Sequence, residues 1–102
     1  MTEPPAPYRV VYSEMVQQRI LVLADQAFER GDGEAFAAAL RELHQRLRIY
    51  PQFGDPLIDL RHEPGQIRIG ICRPISMRYG LYEMQRLVLV VVPPVLLRMP
   101  ST

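Results

Sequence analysis

The sequence predicts an α+β domain with an N-terminal strand, an α-helical hairpin and then a twisted antiparallel sheet of about four strands. Three observations carry this expectation. Two one-sided apolar stripes at helical spacing lie between Ser13 and Tyr50, divided by Gly31-Asp32-Gly33. Clean two-residue alternation follows in Gln66–Cys72 and again in Ile75–Tyr82. Glycine and proline punctuate each transition, at Pro51, Gly54, Pro56, Pro64-Gly65 and Pro74.

The elements follow in order. Residues 1–7 are polar and proline-rich and are expected to be a disordered leader, with a single domain over residues 8–99. Tyr8–Tyr12 (YRVVY) is β-prone, with Tyr8, Val10 and Tyr12 on one face. Ser13 is a good N-cap and Glu14 suits the positive end of a helix. Val16, Ile20, Leu23, Ala24, Ala27 and Phe28 form the first stripe, and Gly31 is placed to end it in the left-handed conformation. Phe36, Ala39, Leu40, Leu43, Leu47 and Tyr50 form the second stripe, which Pro51 stops. The short connection makes the helices antiparallel neighbours whose stripes need a sheet to cover them.

Phe53-Gly54-Asp55-Pro56 reads as a turn and Leu57–His62 as the next strand. Gln66–Cys72 sets Ile67, Ile69 and Ile71 against Arg68, Gly70 and Cys72. Ile75–Tyr82 sets Ile75, Met77, Tyr79 and Leu81 against Ser76, Arg78, Gly80 and Tyr82. Leu87–Val92 is apolar on both faces and is expected to be the central strand. Val95–Met99 is expected to add a short edge segment. For Val95-Leu96-Leu97, folding back on the sheet and a homodimer contact are both open.

Composition narrows the function classes. Nearly half of the 102 residues are apolar, enough for a core. Net charge is only +1, too little for a strongly basic nucleic-acid binder. All 12 basic residues are arginine, the side chain suited to bidentate contact with phosphate or carboxylate. Cys72 is the sole cysteine, so no internal disulfide forms. With no secretory leader or spanning segment legible, a reducing, cytoplasmic location and no membrane association are expected. His44 and His62 lack partners at metal-ligand spacing, so no metal and no cofactor are expected. No Gly-x-Ser-x-Gly context surrounds Ser13 or Ser76.

The arginines remain. By strand parity, Arg61, Arg68 and Arg78 are expected to project from one sheet face, opposite the isoleucine and tyrosine stripe, with Arg73 at its rim. Such a cluster would receive phosphate or carboxylate, and Tyr82, with the parity of Arg78, would stack on a base. Arg68, Arg73 and Arg78 are the candidates for transition-state contact. Arginine stabilises charge but is a poor proton carrier.

From Tyr8 to Val92 the chain resembles the RelE/ParE superfamily of type II toxin–antitoxin toxins. The resemblance rests on the opening YRVVYS strand and on Tyr50-Pro51-Gln52-Phe53-Gly54 after the hairpin. It rests also on Leu57-Ile58-Asp59-Leu60 leading to Ile67-Arg68-Ile69-Gly70-Ile71-Cys72-Arg73, which is similar to the family's arginine-x-glycine-x-x-arginine strand and turn. The resemblance implies a toxin neutralised by an antitoxin. It would act either as a metal-independent endoribonuclease on ribosome-bound mRNA or as an inhibitor of gyrase. Arg68 and Arg73 match the motif arginines. Asp59 and Arg61 stand where the family carries lysines, and Pro93-Pro94-Val95-Leu96-Leu97-Arg98 replaces the basic or aromatic ending. The alternative is a non-catalytic binding module of the same fold whose arginine face holds an acidic peptide or nucleic acid.

Overall fold

A computed structural model describes residues 6–59 and 65–97. Strand β1 (Arg9–Tyr12) leads into α1 (Glu14–Glu29) and α2 (Gly33–Ile49). A single 3₁₀ turn, Pro51–Phe53, connects to β2 (Asp55–Asp59), β3 (Gln66–Cys72), β4 (Ile75–Tyr82), β5 (Leu87–Val90) and β6 (Val95–Leu96). The expected α+β class holds, with five strands after the hairpin where about four are expected.

Local chemistry explains the helical hairpin. The Ser13 Oγ accepts from the Val16 amide at 3.2 Å, the N-cap expected of it. Gly31 has φ +82°, a left-handed position that tolerates glycine at no steric cost. Asp32 occupies the N-cap of α2 without a side-chain cap bond; its carboxylate takes Arg30 at 3.0 Å instead. Val16, Leu23 and Ala27 of α1 are buried, as are Phe36, Ala39, Leu43 and Leu47 of α2. Two residues expected on the buried stripes are not there. Phe28 follows Ala27 by one step of about 100° around the helix, which turns it out to 78% exposure. Tyr50 has left the helix, with φ −144°, and is exposed.

The sheet runs in the order β1-β5-β4-β3-β2, with β6 pairing β4 at Ile75 and Ser76 beyond the end of β5. It is mixed, which corrects the antiparallel expectation. The five strands after the hairpin pair antiparallel, but β1 joins β5 in parallel, Arg9 opposite Leu87 through Tyr12 opposite Val90. Parallel neighbours need a long connection, and here the two helices and strands β2, β3 and β4 all lie between β1 and β5 in the chain. Strand β5 is interior, as its apolar run requires, but β4 is the middle strand. The expected turn at Phe53–Pro56 is shorter than read, because β2 begins at Asp55. The expected strand end at Leu60–His62 and the end of the tail at Met99 lie outside the described residues.

The helices cover one face of the sheet. Ile75, Met77, Tyr79 and Leu81 of β4, with Val88 and Val90 of β5, are buried against them. Each such side chain contributes about 1.5–3 kcal/mol by leaving water. Val10 and Tyr12 of β1 pack on the same core, as their shared parity with Tyr8 predicts.

Candidate functional site

Register decides which arginines meet. A two-residue turn at Arg73-Pro74 sets Cys72 opposite Ile75, and so Arg68 opposite Tyr79 and Ile69 opposite Arg78. Residues paired across antiparallel strands share a face. Arg68 therefore lies on the helix-covered face with Met77 and Tyr79, while Arg78 lies on the outer face with Ile67, Ile69 and Ile71. The expectation of one shared arginine face is corrected: the two strands enter their turn with opposite parity.

Arg68 is committed to the fold. Its Nη1 donates to the Gln52 carbonyl at 3.0 Å and to the Gly54 carbonyl, and its Nε donates to Gln66 at 3.1 Å. Tyr79, beside it, donates its hydroxyl to the Pro51 carbonyl at 2.5 Å and accepts from the Gly54 amide at 3.2 Å. Together these two side chains satisfy four backbone groups of the Pro51–Gly54 step, where no ladder or helix supplies partners. Phe53 stacks on Tyr79 at 6.1 Å, and the Arg46 guanidinium lies 5.4 Å from its ring centre.

The remaining candidates are dispersed. Arg73 is exposed at the β3–β4 turn, one end of the hairpin. Tyr82 sits at the other end of β4, half-buried, its ring against Gly65 and Gly80. Arg61 lies outside the described residues. Arg78 and Tyr82 do share the outer face and line one groove of about 250 Å³ with Leu57, Ile67, Gly80, Leu89, Val91 and Val92. Arg86, at a left-handed φ of 49°, sets its guanidinium 4.4 Å from the ring centre of Tyr8 and donates to the Ala6 carbonyl. It holds the start of β1.

The outer face is thus apolar, where a wet arginine face was expected. Ile71 is 50% exposed, Leu57 46% and Val91 57%, and Val11 and Val92 are exposed beside them. Ile67, Ile69, Leu87 and Leu89 lie half-buried between. Arg78 is exposed in their midst and makes no hydrogen bond or ion pair among the described residues.

The inner face holds a pairing that sequence reading missed. The Tyr12 hydroxyl and His44 Nδ1 are 2.8 Å apart, and their rings stack at 5.7 Å. No short-range spacing signals it, because the residues are 32 apart in sequence. Burial raises the Tyr12 phenol from its ordinary 10.0 to about 12. Burial raises Tyr79 to about 12 as well, against the lowering effects of the Gly54 amide and the Arg68 charge. A raised folded pKa means that the stabilisation is complete below the unfolded value and disappears as pH climbs through the folded one. Stability should therefore hold to about pH 10 and fall between about pH 10 and 12. Urea midpoints taken across that window check this, and the Tyr12→Phe variant should lose less midpoint on alkalinisation than the parent.

No group of three or more His, Cys, Asp or Glu side chains converges among the described residues, and no described helix is long and apolar enough to cross a membrane. No protein-family model matches the sequence, and no curated protein matches it.

Proposed function

We propose that this chain is a RelE/ParE-type domain that works by binding a partner protein, an antitoxin-like chain with an apolar segment carrying a carboxylate. The observation that carries the proposal is the exposed apolar face of the sheet with Arg78 set in it, unpaired among the described residues. An apolar sheet face bordered by groove-lining valines and a tyrosine has the character of an interaction surface. Burying Arg78 there requires an acidic counterpart. A second copy packed face to face about a two-fold axis sets Arg78 against Arg78, which favours a different chain as the occupant. The order of strand, helical hairpin and antiparallel strands supports the superfamily reading, beside the motifs quoted above.

Peptide binding accounts for the face better than nucleic-acid cleavage. Phosphate backbones are held by several converging basic groups. Here Arg68 is spent on backbone carbonyls, Arg73 sits at a distant turn, and Arg78 stands among isoleucines. The test is a screen for complex formation against the proteins encoded beside this gene. Arg78→Glu should weaken that complex about thirtyfold or more, the cost of reversing one member of a buried charge pair. A complex untouched by both Arg78→Glu and Leu89→Asp would overturn the reading.

A further inference from the structure

We infer that the cleft between α1 and α2, on the side of the sheet away from the docking face, binds a small apolar-bodied carboxylate held by Arg41 and His44. The cleft has a volume of about 540 Å³, within the range of small-molecule sites. Ile20 from α1 and Leu40 from α2 supply apolar lining. Arg41 and His44 lie one turn apart on α2 and so on one face of it, with Gln45 beside them and Gln17 across from them on α1.

The polar groups are already arranged. Tyr12 engages Nδ1 of His44, which leaves Nε2 as the other ring nitrogen of the imidazole. Because its phenol stays protonated until about pH 12, Tyr12 is a hydroxyl donor throughout the neutral range. When it donates to Nδ1, the imidazole proton resides on Nε2, a donor suited to a carboxylate oxygen. The Gln17 amide is fixed on the Tyr12 carbonyl at 2.9 Å. Arg41 makes no ion pair among the described residues, and its neighbour Glu42 is taken by Arg46 at 2.8 Å. An uncompensated guanidinium beside an apolar cleft selects a single negative charge on an apolar body. One guanidinium and one imidazole are too few for a polyanion. This site is independent of the protein-docking reading, since it uses neither the outer sheet face nor Arg78.

The test is an NMR titration of the full chain with 3-phenylpropionate and, separately, octanoate, following the ring protons of its two histidines. Saturable shifts at the His44 ring are expected for at least one of the two acids. Arg41→Gln, an exposed position, should weaken binding at least fivefold while the fold stays intact. The uncharged 3-phenylpropionamide should bind at least fivefold more weakly than the acid. Absence of a His44 response to both acids at millimolar concentration overturns the inference. So does equal binding of the amide, or an Arg41→Gln affinity equal to the parent's.

Discussion

Arg68→Ala should lower the free energy of unfolding by about 2–4 kcal/mol, read from the shift in urea midpoint at constant slope. The effect is large because three hydrogen bonds depend on one guanidinium. Two of them reach the backbone carbonyls of Gln52 and Gly54. Truncation leaves both carbonyls without that donor at a half-buried place. Charge-assisted bonds of this type are worth about twice neutral ones. Arg68→Lys should recover less than half of the loss, since an ammonium lacks the planar fork that reaches two carbonyls and a side-chain amide together.

Gly54→Ala should cost about 3 kcal/mol or more. Its φ of −74° is ordinary, so backbone strain is not the reason. A Cβ at this position would collide with the Tyr79 hydroxyl and lie 2.8 Å from the Ile69 carbonyl oxygen. The second neighbour is backbone in the middle of a ladder and cannot yield cheaply. Moving the first breaks the bonds from Tyr79 to Pro51 and from Gly54 to Tyr79. Thermal melts of Gly54→Ala and of Gly54→Ala with Tyr79→Phe check this. The double variant should lose less than the sum of the two single losses, because both act on one contact.

Much of the architecture is written locally. Alternation in Gln66–Cys72 and Ile75–Tyr82 gives β3 and β4 with their observed ends, because each run is bounded by residues that leave the ladder. Ser13 and Gly31 mark the ends of α1 through short-range hydrogen bonding and φ. The pairing of β1 with β5 is not local. Nothing in YRVVY specifies a parallel neighbour some eighty residues on, and the mixed sheet follows only once the hairpin has returned the chain.

The candidate site was legible in its parts and not in its assembly. Alternation within β3 separates Arg68 from the isoleucines, and alternation within β4 separates Arg78 from Tyr79. It does not say which face of one strand meets which face of the next; the turn does. Counting through Arg73-Pro74 as a two-residue turn was the available signal. It places Arg68 beside Tyr79 and brings the isoleucines to the outside. The Tyr12–His44 pair had no comparable signal, because β1 and α2 meet only through tertiary packing.

The proposed docking surface is the outer sheet face, whereas Arg68 belongs to the fold. Methyl NMR of the isoleucines and leucines, during titration with the partner found by that screen, tests both assignments. Large shifts are expected at Ile67, Ile69, Ile71, Leu87 and Leu89, lost in Arg78→Glu, with Leu43 and Leu47 of the core unmoved. Shifts confined to the helices, or binding that survives Arg78→Glu at full strength, would contradict the docking assignment.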